Sequence, residues 1–123
     1  MEILETYCFC VVVPTGYETE VLHSIEKVVP LTWGNYDRVA RVSSPKILRC
    51  RVLPGAKPNA VTRDGPTLTV EEGDLLELEC VDLEFSIPRD DALMRSVIED
   101  GIMPAHPWDE PGVFVYPVLE TRR

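Results

Sequence analysis

Hydrophobic and polar positions along the chain follow two periods, and the changeovers divide it into elements. Tyr7 to Val13 is aromatic or β-branched on both faces and stops at Pro14, the pattern of a central strand. Thr15-Gly16-Tyr17-Glu18 predicts a capping box, in which the Thr15 hydroxyl accepts from the third helical amide and Glu18 reaches back. Beyond it Val21, Leu22, Ile25, Val28 and Val29 recur at helical spacing between Glu18, Glu20, Glu26 and Lys27, and Pro30 ends the helix. Arg38 to Ser43 and Lys46 to Leu53 read as two short strands around Ser44-Pro45, which predicts a β-hairpin. A two-residue turn would set Ala40 opposite Arg49 and Arg38 opposite Arg51, gathering Arg38, Arg49 and Arg51 into one patch. Such a patch either pairs across the sheet with Glu77 or Glu79, or binds an anion.

Pro54 to Gly73 is rich in Gly, Pro, Asn and Thr, with a short strand at Thr67 to Val70, and is expected to be a mobile excursion. In the strand Leu75 to Phe85 the apolar phase switches, from Leu76, Leu78 and Cys80 to Val81, Leu83 and Phe85. That predicts either a β-bulge or a strand serving two packing environments. Pro88 and Asp90 supply helix-start chemistry, Leu93, Met94, Val97 and Ile98 a helical stripe, and Gly101 a stop. Val113 to Leu119 closes the sheet, with Pro117 marking an edge or an end of pairing. The order β-α-β-β-α-β predicts an α+β fold, a ferredoxin-like two-layer sandwich with two helices on one face of an antiparallel sheet. The first and fourth strands are apolar on both faces, so the uncovered side is expected to need a partner, and a second or third copy is the simplest one.

The length of 123 residues fits one domain, residues 1–123, with enough chain for a core without disulfide or metal. A formal charge of −9, from 21 acidic and 12 basic side chains, repels nucleic acid and anionic lipid. It serves either solubility or an acidic docking surface. The apolar run after Glu2 and Glu5 is too short for a signal peptide or a membrane span, so a cytoplasmic protein without membrane attachment is expected. Cys8, Cys10, Cys50 and Cys80 lack C-x-x-C spacing and lie in strand-like stretches, which reads as core, although Cys8 and Cys10 share a face.

The most distinctive string is Ala105-His106-Pro107-Trp108-Asp109-Glu110-Pro111, leading into the last strand. It resembles the AHPYEEP element of the inserted accessory domain of the Nif-three family, a module also likened to the CutA and PII folds. Trp108 stands for the usual tyrosine and Asp109 for the first glutamate. Gly34-Asn35-Tyr36-Asp37 is similar to that domain's GNY signature, and Gly55-Ala56-Lys57-Pro58 to its GANP loop. Ser44-Pro45-Lys46-Ile47-Leu48-Arg49 replaces the family's glycine-rich phenylalanine segment. The resemblance implies a binding or assembly module that is not an enzyme and acts as a homo-oligomer. Its ligand or interface residues would be Gly34, Asn35, Tyr36, His106, Pro107, Trp108, Asp109 and Glu110. The family's metal ligands belong to a flanking core domain that this chain is too short to hold.

Imidazole and carboxylate suit zinc or manganese, so His106 with Glu110 or Asp109 offers a divalent metal site as the alternative to no cofactor at all. The bland reading is that Pro107 and Pro111 stiffen a turn, His106 bonds to backbone and Trp108 packs. No nucleophile elbow, P-loop, dinucleotide fingerprint or H-E-x-x-H string is present, and His23 beside Ser24 has no positioned acid. A small-molecule ligand is compatible with the sequence; an enzyme would require a concave pocket with perturbed titratable groups.

Overall fold

The buried residues define the architecture. Phe9, Val11 and Val13 alternate inward from β1 (Glu2–Pro14), and Val81, Leu83, Phe85 and Ile87 do the same from β6 (Leu75–Pro88), each at most 4% exposed. Against this face lie Val21 and Ile25 of α1 (Glu18–Glu26) and Val97 and Ile102 of a second helical run, all fully buried. Phe9 stacks on Phe85 with centroids 4.8 Å apart. Burying a side chain such as Phe9, Leu83 or Ile87 stabilises the fold by about 1.5–3 kcal/mol. The computed structural model describes residues 1–56, 59–61 and 67–123, so Lys57 and Pro58 of the predicted Gly55–Pro58 loop lie outside the described residues.

The remaining strands are β2 (Arg41–Val42), β3 (Lys46–Arg51), β4 (Asn59–Val61), β5 (Thr67–Thr69) and β7 (Gly112–Arg122). The main sheet runs β2-β6-β1-β7 with β3 also on β6, every pairing antiparallel, which is the ferredoxin-like order with both helices on one face. β4 and β5 form a separate two-stranded sheet; the sequence indicated only the second of them.

The predicted hairpin does not form. β2 and β3 both pair with β6 as two pieces of one interrupted edge strand. Val42 faces Leu83 and Lys46 faces Cys80, so Ser43, Ser44 and Pro45 oppose only Val81 and Asp82, one residue in excess. Pro45 has no amide to give, and the Asp82 amide is satisfied instead by Ser43 Oγ at 2.8 Å. The arginine patch dissolves with the hairpin. Arg38 precedes β2 and pairs with Glu26 at 2.8 Å, whereas Arg49 faces Glu77 and Arg51 faces Leu75. Arg41, opposite Glu84, and Arg49 are already about 23 Å apart along β6 at the usual strand rise.

β6 keeps an unbroken register with β1, from Thr6 opposite Pro88 to Pro14 opposite Cys80, so it carries no bulge. Its phase switch marks two environments. Residues 81–87 cover the core, while residues 75–79 run past the end of β1 and pair with β3, apart from the Thr15 amide on the Glu79 carbonyl at 3.3 Å. In this two-stranded arm Leu48 faces Leu78 and Cys50 faces Leu76.

The predicted capping box is half formed. The α1 N-cap is Tyr17 without a side-chain cap, Glu18 accepts from the Gly16 amide at 2.7 Å, and the Thr15 hydroxyl is buried without a partner among the described residues. The second helix starts as predicted, with Asp90 accepting from the Leu93 amide at 3.0 Å. It does not stop at Gly101. α2 (Asp91–Ser96) continues into a π-helical stretch, Val97–Ile102, and ends in the turn α3 (Met103–Ala105). A Cβ at Gly101 would lie 3.2 Å from the Ile25 Cα, so this glycine serves the close approach of the two helices. Among the described residues, no helix is long and apolar enough to cross a membrane.

Candidate functional site

Trp33-Gly34-Asn35-Tyr36 forms a tight turn in which Trp33 and Tyr36 exchange backbone hydrogen bonds of 2.8 and 3.0 Å. Gly34, with φ +59°, occupies the first central position, where a type II′ turn places glycine. Arg38, two residues past the turn, also has a positive φ, +55°, held by its ion pair to Glu26 and by the Val39 amide on the Leu31 carbonyl at 2.9 Å. The Trp33 ring lies 5.1 Å from the Arg122 guanidinium carbon, a cation–π contact that ties the turn to the last strand.

Beneath the turn, the far end of the sheet holds a polar network on the face away from the helices. Glu120 accepts from Thr6 Oγ1 at 3.0 Å, from Arg122 at 2.9 Å and from Ser86. The side chains of Glu120 and Arg122 are only 12% and 18% exposed, and Thr6 is 6% exposed. Burial pulls the Glu120 carboxyl up, but the hydrogen bonds from Ser86, Thr6 and Arg122, with the Arg122 charge, outweigh it and leave its pKa below the ordinary value. These groups line a cleft of about 290 Å³ with Leu4, Glu5, Pro30, Thr32, Ile87 and Pro88. The local sequence signal for this network is slight: an acid and a base two apart, Glu120 and Arg122, on one face of the last strand, beyond Leu119 where its apolar pattern ends.

The His106 turn lies at the other end of β1. The His106 ring is 7% exposed; Nε2 donates to the Val12 carbonyl at 2.6 Å and Nδ1 accepts from the Trp108 amide at 3.2 Å. Burial lowers its pKa, only partly opposed by the bond to Val12, so the ring is held neutral. Trp108 packs against it at 5.4 Å between centroids, with its indole N–H buried and unpartnered among the described residues. Pro107 is half-buried, while Asp109 and Glu110 are exposed. Since both ring nitrogens are committed to backbone, a metal at His106 would have to break one of those bonds. Among the described residues no three His, Cys, Asp or Glu side chains are grouped to hold a metal ion. Val12 and Glu2, which faces Arg122, are about 33 Å apart along β1, so the chain separates the Gly34–Tyr36 and His106–Glu110 turns.

Between these ends, the face away from the helices is divided. On β1 and β7 it carries Cys8, Cys10, Val12, Phe114 and Tyr116, the last two 51% and 53% exposed. On β6 and the edge it carries ion pairs, Arg41 with Glu84 at 2.5 Å and Lys46 with Asp82. The expectation of an apolar open face therefore holds for half of it. Burial, with Asp82 and Glu84 nearby, pushes the Cys10 thiol up, which disfavours thiolate chemistry there.

This architecture defines the class: an α+β sandwich of ferredoxin-like order whose polar cleft and apolar strip lie on the face away from the helices. More particularly, the fold is NIF3-like and PII-like. The chain is similar to a Bacillus cereus protein related to NIF3, with 25% identity and a TM-score of 0.63, over 96% of this chain and 27% of that one. It therefore spans about a quarter of that protein's length. It also superposes on B. subtilis GlnK, with 11% identity and a TM-score of 0.51, over 93% of this chain and 85% of that one, a likeness of fold alone. No family model and no curated protein matches the sequence.

Proposed function

We propose that this chain is a non-catalytic binding and assembly module of regulatory type, acting in the cytoplasm as a homo-oligomer. The observation that carries the reading is the divided open face, where Phe114 and Tyr116 stand half-exposed beside Cys8, Cys10 and Val12. The likeness in fold to a NIF3-related protein and to GlnK supports a regulatory or binding module. A second copy of the chain fits this face because the apolar strip of one copy can cover that of the other while the ion pairs stay at the rim.

Light scattering coupled to gel filtration tests this. The expected mass is two or three times the 13.9 kDa chain, falling to one chain when Phe114 and Tyr116 are both replaced by glutamate. A strictly monomeric mass for the unaltered protein at tens of micromolar overturns the reading. The proposal assigns no metal or cofactor. Because His106 spends both nitrogens on backbone, zinc and manganese are expected to leave the melting temperature unchanged, which scanning fluorimetry can check.

A further inference from the structure

The cleft beneath the Trp33–Tyr36 turn has a use that assembly does not explain. A buried ion pair contributes little to stability, since desolvating two charges offsets much of their attraction. Here the Glu120–Arg122 pair is more than four-fifths buried and is accompanied by Thr6 and Ser86 at the end of a sheet that could have been finished with apolar side chains. The network fixes the polarity of the wall. Glu120 draws in the hydroxyl hydrogens of Thr6 and Ser86, which leaves the lone pairs of both oxygens as acceptors. Arg122 gives one N–H to Glu120 and one to the Thr121 carbonyl at 2.8 Å, out of five. Guanidinium donors and hydroxyl acceptors thus share the cleft with Leu4 and with the exposed prolines Pro30 and Pro88.

We propose that this cleft binds a small uncharged molecule with a planar amide or lactam edge on an apolar body. The ligand carbonyl accepts from Arg122, its N–H donates to Thr6 or Ser86, and the apolar body lies toward Leu4, Pro30 and Pro88. Charge argues for neutrality. Arg122 is matched by Glu120, and Glu5 on the cleft wall by Arg89 at 3.7 Å, so a carboxylate meets the Glu120 and Glu5 charges and an ammonium meets that of Arg122, each without an unmatched counter-charge. The cleft shares the open face with the proposed assembly strip but is built by residues of one chain at the Thr6–Glu120 end, so the probe titration can fail or succeed separately from the light-scattering mass.

The test uses the full chain, with amide-resolved NMR during titration with benzamide and uracil, and benzoate and benzylamine as charged counterparts. Saturable shifts at millimolar concentration centred on Leu4, Thr6, Thr32 and Ser86 are expected for the two neutral probes alone. Ser86→Ala, at a half-buried site where truncation leaves the fold intact, should weaken them about fivefold to tenfold, the loss of one hydrogen bond. Trp33→Phe, which keeps the ring over Arg122, should retain binding. The idea is overturned if neither neutral probe shifts these amides, if the charged pair binds as well, or if Ser86→Ala leaves the affinities unchanged.

Discussion

At the scale of single residues, two buried titratable groups set how the molecule answers acid. His106 is neutral in the fold, with its pKa lowered below the ordinary 6.5, and its acceptor nitrogen faces the Trp108 amide. Protonation would place two hydrogens against each other there. The unfolded chain takes up that proton first, so the contribution of His106 is complete above the ordinary histidine pKa and falls as the pH drops below it. His106→Ala should destabilise by about 1–3 kcal/mol and remove this slope, measurable by urea unfolding across the mildly acidic range. Glu120 behaves in the same sense at lower pH. Its carboxyl is depressed in the fold, so its contribution is full at neutral pH and is lost as the pH falls through the folded value. Glu120→Gln should flatten the acid limb of stability below that attributed to His106, in the same unfolding series. The bland reading of His106, bonded to backbone in a stiff turn, was legible because proline-flanked histidines in turns have few other partners. The Glu120–Arg122 network was not, because its meaning depends on Thr6 and Ser86, which reach it through strands far apart in sequence.

At the scale of elements, period and caps were readable, and tertiary proximity was not. The stripes containing Val21, Ile25 and Val97 and the Asp90 cap are local signals, and the structure carries them as expected. Gly101 misled because glycine ends helices for one physical reason and admits a neighbouring backbone for another. Gly101→Ala should therefore destabilise, by about 1–3 kcal/mol, since the new methyl meets the Ile25 Cα at 3.2 Å, although alanine is the better helix former. Thermal unfolding distinguishes the two, because relief of helix propensity alone would raise the melting temperature. Ser44-Pro45 misled in a similar way. A turn signal says only that the chain leaves the ladder; whether it reverses or rejoins the same neighbour is decided by β6, fourteen residues long and able to host both pieces.

At the scale of the whole molecule, the order of elements was enough to predict the sandwich and its one-sided helices, because right-handed crossovers leave few alternatives. The character of the open face was half legible. Apolarity on both sides of β1 and β7 was visible in the string, but the charged half arises from Asp82 and Glu84 meeting Lys46 and Arg41, a register that the mistaken hairpin concealed. Net charge also bears on assembly. Copies carrying −9 each repel at low ionic strength, so salt near physiological levels should shift the light-scattering mass upward and its removal downward. An association held mainly by ion pairs would respond in the opposite direction.

Both margins of the sheet are poor templates for another chain. The outer side of β7 contains Pro117, which has no amide to offer, and β3 lines its own margin with exposed Lys46, Arg49 and Arg51 behind the break at Pro45. Ribbon extension at the edges of the main sheet is thereby disfavoured. Copies that associate in the proposed way would meet flat against one another, and concentrated solutions should resist fibre formation.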